Sequence, residues 1–147
     1  MKKDERAKNP RIIVVQKLYG HYLNKESEIT FPKHRYKKFI KDVVNGSIER
    51  KELINEFISK ELKNDINENK IEILLRIMLT AAIYEFMYMH KTPLKVVISE
   101  YIKVSDFFID ASQKKFLNAI LDKISKKSRV KYEWIYNNRK IFKASID

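Results

Sequence analysis

The stretch IEILLRIMLTAAIYEFMYM, residues 71–89, constrains the fold more than any other part of this chain. Its apolar residues fall on nearly every side of a helix, whereas a surface helix shows one apolar stripe and a polar back. Such a segment either crosses a membrane or is surrounded by other helices. Glu72, Arg76, Thr80 and Glu85 interrupt it, and ionisable groups at a bilayer centre are costly. The segment therefore reads as a buried central helix over about 68–89, and no membrane partner is expected.

The rest of the chain must supply the wrapping. It has 147 residues with only two glycines and three prolines, which leaves little of the turn chemistry that hairpins need. The expected fold class is all-α, a single domain with enough chain to bury a core without staples.

Asn9 reads as an N-cap and Pro10 as the first residue of a helix reaching about Leu23. Ile12, Val15 and Leu18 turn inward, while Arg11, Gln16 and Tyr19 turn outward. Tyr36, Phe39, Ile40, Val43 and Val44 recur on one helical face. Gly46 is expected to end that helix as a C′ glycine, with Ser47 as N-cap of a third carrying Leu53, Ile54, Phe57, Ile58 and Leu62. After the central helix, Thr92 as N-cap and Pro93 at the first position open a fifth, bearing Leu94, Val97, Ile98, Tyr101, Ile102 and Phe108. A sixth sends Leu117, Ile120, Leu121 and Ile124 inward. Residues 128–147 read as an extension that adds a seventh helix, in which Tyr132, Trp134, Tyr136, Arg139 and Lys140 cover core or enlarge a binding surface.

Catalysis is not expected. No Walker, G-x-G-x-x-G, G-x-S-x-G or H-E-x-x-H pattern is present, and two glycines nearly exclude a backbone phosphate cradle. Glu72, Glu85 and Glu100 read as surface charges or as partners of Arg76 and nearby lysines. There is no cysteine, and His21, His34 and His90 form no ligand motif, so neither a metal nor a cofactor is expected. The basic first residues are not followed by a signal-peptide core, and a cytoplasmic location is expected.

The net charge is +12, a field that attracts polyanions. Residues 1–11 carry five lysines and arginines against two acids, and residues 114–143 carry ten against two. Basic ends around an apolar middle suit RNA, whose phosphates exchange counterions for lysine and arginine. Unpaired bases also need aromatic faces. Tyr19 and Phe116 lie near basic residues, but both also stand at apolar helical spacing, so stacking and packing are both open.

Three blocks carry a family likeness. RAKNPRIIVVQKLY resembles the opening of the NusB transcription antitermination factors, with Arg6, Lys8, Arg11, Gln16, Leu18 and Tyr19 on the pattern. LLRIMLTAAIYEFMYMHKTPLKVVISEYIKVSDFF resembles the family's signature block through Tyr84, Glu85, Pro93, Lys95, Val96, Ile98 and Glu100. KKFLNAILDKI is similar to a third through Lys115, Phe116, Asn118, Leu121, Asp122 and Lys123. The middle block is closest to the alphaproteobacterial branch. The likeness reaches about residue 127, behind a basic N-terminal arm over 1–9.

The resemblance implies two packed helical bundles. It also implies binding of the single-stranded boxA element of nascent ribosomal RNA together with NusE, a small-subunit ribosomal protein, and indirect contact with other Nus factors and RNA polymerase. Homodimerisation of the free protein is left open. The implied RNA-binding residues are Arg6, Lys8, Arg11, Gln16, Tyr19, Gln113, Lys115 and Phe116. Thr80 and Ala119 depart from the family pattern, and Pro10 interrupts its basic cluster.

The alternatives are a basic helical scaffold and a stand-alone RNA-binding domain without antitermination activity. A helix-turn-helix at VNGS would present Glu49, Glu52, Glu56 and Glu61, too acidic to enter a DNA groove.

Overall fold

Asn9 Oδ1 accepts a hydrogen bond from the Arg11 N–H at 3.0 Å, and Pro10 follows in the first turn of helix α1, Pro10–Leu23. Both parts of the expected start are present, because the cap satisfies a donor that has no partner within the helix and proline has no such donor to satisfy. The computed structural model describes residues 8–62 and 71–127, and among them the regular elements are helices, joined by turns and irregular segments, with no strand.

Four consecutive residues of α1, Ile12 to Val15, are buried, together with Leu18. That is a wider apolar surface than the single stripe expected, because α1 packs against three helices: α2 (Lys37–Glu49), α4 (Ile73–Tyr88) and α5 (Leu94–Ser105). Helix α4 is buried from Leu75 through Met87 except at Arg76 and Thr80. It packs on α1, α2, α5 and α3 (Lys51–Leu62), as a helix apolar on every side must. Each large side chain so buried contributes roughly 1.5–3 kcal/mol.

The boundary between α2 and α3 differs from expectation. Gly46 does not end α2; the helix runs on to Glu49, and neither glycine has a positive φ. Gly46 is buried, and a Cβ there would overlap the Tyr84 ring. The glycine is explained by the close approach of another helix, not by a turn. Ser47 is likewise a buried residue inside α2 rather than a cap. The break falls at Arg50, whose N–H donates to Gly46 O at 3.0 Å, so VNGS is not a turn.

Helix α5 begins one residue later than predicted, with Pro93 as N-cap rather than Thr92. The pyrrolidine is still at the helix entry, where its fixed φ of −59° fits. Phe108 lies beyond the helix, in the turn that leads to α6, residues 111–127. In α6, Leu117, Ile120, Leu121 and Ile124 are all buried, as their spacing requires. No described helix is long and apolar enough to cross a membrane.

Candidate nucleic-acid interface

Arg11 opens this region, and its place was not foreseen. Its Nε and Nη2 donate to the two carboxylate oxygens of Glu85 at 3.0 and 2.7 Å. The side chains are only 11% and 0% exposed. The expectation that Arg11 turns outward with the basic arm is therefore corrected. Its guanidinium carbon also lies 4.8 Å from the Phe39 ring centroid and 5.7 Å from that of Tyr101.

Burial acts to lower the Arg11 pKa, but the hydrogen bonds and charge of Glu85 outweigh it and raise it above the ordinary arginine value. Tyr101 is fully buried against this pair. Desolvation first, then the Glu85 charge, push its hydroxyl well above the usual 10.0, with Arg11 opposing. A carboxylate in an all-apolar helix needs a partner that brings both charge and several donors, which a guanidinium supplies in a fixed fork. That requirement was the available signal for the pair. Glu85 is neither a surface charge nor a partner of Arg76.

Tyr84 occupies the next position on α4. Its hydroxyl donates to Asp42 Oδ1 at 2.6 Å, and its ring packs 5.2 Å from that of Tyr88. Burial, with Asp42 adding, raises its pKa above 10.0. The Arg50 guanidinium covers the Tyr88 ring at 4.3 Å. The Tyr-Glu dipeptide of the middle block is thus a structural lock tying α4 to α1 and α2.

The remaining predicted residues form two groups. On α1, Gln16 is exposed and Tyr19 half-buried, with the Tyr19 ring stacked on Tyr22 at 6.4 Å and 20°. Lys8, exposed ahead of the helix, has its carbonyl 3.1 Å from His34 Nε2. At the first turns of α6, Lys115 is exposed beside half-buried Phe116, which packs against the core. Gln113 is engaged locally: its N–H donates to Asp110 Oδ1 at 2.8 Å, and its Oε1 accepts from the Asp110 N–H at 3.3 Å. This reciprocal pair is a capping box. No hydrogen bond, ion pair or ring contact joins the α1 and α6 groups among the described residues. Arg6 and the aromatic and basic residues expected in 128–147 lie outside the described residues.

Exposed cations beside partly covered rings suit single-stranded nucleic acid: the cations hold phosphates and the rings offer faces to unstacked bases. Comparison with known proteins identifies the family. The model of the NusB family matches residues 8–126. The transcription antitermination protein NusB of Bradyrhizobium diazoefficiens is 31% identical over 110 residues, 75% of this chain and 67% of the relative. That of Mesorhizobium japonicum is 27% identical over 107 residues, 73% of this chain and 69% of the relative. The Rickettsia bellii protein of the same name is 38% identical over a shorter 80 residues, 54% of this chain and 51% of the relative. Among solved structures, T. maritima NusB matches with a TM-score of 0.71 and 25% identity, covering 86% of this chain and 93% of that one.

Proposed function

Because the chain belongs to the NusB family, whose curated relatives are transcription antitermination proteins, we propose that it binds boxA-type single-stranded RNA of nascent ribosomal transcripts together with NusE. It acts in the cytoplasm as a non-catalytic factor that suppresses premature termination, reaching RNA polymerase through other Nus factors. The observation that carries this reading is the exposed Lys115 beside the half-buried Phe116 on α6, with Gln16 and Tyr19 similarly accessible on α1.

Arg6, Lys8 and Lys115 hold phosphates, Tyr19 and Phe116 stack on bases, and Gln16 hydrogen-bonds an exposed edge. The two residues with structural partners have positioning roles. Arg11, held by Glu85, fixes the start of α1 and hence the point from which the basic arm departs. Gln113, by capping α6, fixes the turn that presents Lys115 and Phe116.

The test is fluorescence anisotropy of a labelled boxA-like RNA and of a scrambled one, with and without NusE, over a salt series. The expected result is selective binding strengthened by NusE, with affinity falling as salt rises. Equal, salt-labile binding of both RNAs, indifferent to NusE, would overturn the proposal in favour of a basic scaffold.

A further inference from the structure

The stretch ITFPKHRYKKFIK, residues 29–41, leads into α2 and forms its first turns, and it carries five cations, Lys33, Arg35, Lys37, Lys38 and Lys41, with no acid. All five are exposed, and none forms an ion pair among the described residues. Asp42, the next residue, accepts the Tyr84 hydroxyl at 2.6 Å. This arrangement works against the helix. Lys41 lies one turn beyond both Lys37 and Lys38, and like charges at that spacing repel. Lys37 and Lys38 also stand in the first turn of α2, at the positive end of its dipole, where no acid offsets them. Cations that the helix itself disfavours point to an anion supplied from outside.

Two observations restrict that anion. The cluster is joined to the start of α1: His34 Nδ1 accepts from the Tyr36 N–H at 2.9 Å, which leaves the proton on Nε2 to meet the Lys8 carbonyl at 3.1 Å. The other is a ring among the cations. Tyr36 is 47% exposed, with the His34 ring 6.0 Å away and the Arg35 guanidinium carbon 5.4 Å from its centroid. An acidic protein segment or an anionic lipid headgroup would answer the cations but brings no flat face to the ring. Single-stranded RNA answers both, since its phosphates exchange counterions for lysine and arginine while its unstacked bases lie on tyrosine and guanidinium planes.

We propose that this cluster is an additional RNA contact: Lys33, Arg35, Lys37, Lys38 and Lys41 take the phosphates of nucleotides that flank the boxA-type element, and Tyr36 stacks on one of their bases. The His34 bridge sets the contact beside Lys8, so that one strand passes from the α1 surface onto α2. The inference rests on the RNA-binding reading and gives it a longer footprint, in which the added nucleotides are held by charge and stacking whatever their sequence.

Fluorescence anisotropy of the full chain compares a labelled boxA-like RNA with the same RNA extended at either end by about eight uridines, a length within one single-strand site, over a salt series. One of the two extensions is expected to tighten binding by at least about tenfold and to steepen the salt slope by about two, the value for three further phosphates on a single strand. The triple variant Lys37→Glu, Lys38→Glu, Lys41→Glu, confined to exposed positions, removes both gains and binds the short RNA as wild type does. Its melting temperature does not fall, because acids suit the first turn of α2. Tyr36→Ala weakens the extended complex about fivefold with the salt slope unchanged, the low end for one stacked base. Extended RNA bound no tighter than the short one, or equally by wild type and the triple variant, overturns the α2 contact and leaves the RNA reading standing. Polyglutamate displacing the extended RNA as well as polyuridine does, with Tyr36→Ala silent, assigns the cluster to an acidic protein and overturns it too. A scrambled core bound as tightly as the boxA-like one, with the extension still adding affinity through α2, overturns the boxA reading and not the α2 contact. Binding of no RNA overturns both.

Discussion

Where α1 crosses α4, the Arg11 guanidinium lies among aromatic rings and is committed to a buried carboxylate; at the first turns of α6, Lys115 stands exposed beside Phe116 and faces solvent. Both belong to the basic residues that the family likeness marks for RNA, and only the fold separates them. The difference is what else lies within reach. At α1 a carboxylate with no access to water is waiting, and the pair must form because leaving either charge alone in an apolar medium is the costliest alternative. At α6 the nearby acid, Asp106, pairs with Lys114 at 2.7 Å instead. Burial turns a cation into architecture; exposure leaves it to a partner.

The largest expected effect breaks the first half of that contrast. Arg11→Ala strands a buried carboxylate and should destabilise the fold by about 3–5 kcal/mol, read from chemical denaturation. A loss below about 1 kcal/mol would mean that the pair is not what holds α1 to α4. Gly46→Ala should come next, at about 1–3 kcal/mol, because the added methyl must displace the Tyr84 ring. A glycine that merely ended a helix would tolerate alanine far better.

Alkaline titration sharpens the picture of the buried rings. Tyr84 and Tyr101 have folded-state pKa values raised above 10.0, so above that pH the folded chain holds protons that the unfolded chain releases. Their contribution to stability is fully present below pH 10 and is lost as the pH rises through the folded values. Tyr84→Phe should make stability fall less steeply above pH 10, and an unchanged slope would remove Tyr84 from the account. Asn9→Ala should cost about 1 kcal/mol through loss of the α1 cap, seen as a small drop in Tm.

The smallest effect on stability is expected at the other end of the comparison. Lys115→Ala should leave the denaturation midpoint within about 0.5 kcal/mol of wild type, while weakening single-stranded RNA binding and reducing its salt slope by about one. Unchanged RNA binding would remove Lys115 from the proposed surface.

Residue pattern alone makes this a helical chain built round residues 71–89, since only surrounding helices can cover a segment apolar on every side. It also determined the start of α1, because Asn9 and Pro10 act within one turn, and the inward face of α6, because Leu117, Ile120, Leu121 and Ile124 share one stripe. The exposed Lys115 was legible for the same reason. Contacts between residues far apart in the chain came from packing instead. Glu85 finds Arg11 across 74 positions and Tyr84 finds Asp42 across 42, and neither local periodicity nor charge counting specifies which distant partner arrives. Gly46 was misread on the same ground: a glycine near the end of an apolar stripe reads as a stop, and only the ring packed against it shows that its missing Cβ makes room for another helix. Local chemistry sets where helices begin and which way they face, whereas the use of a buried charge or a missing side chain is fixed by what packs against it.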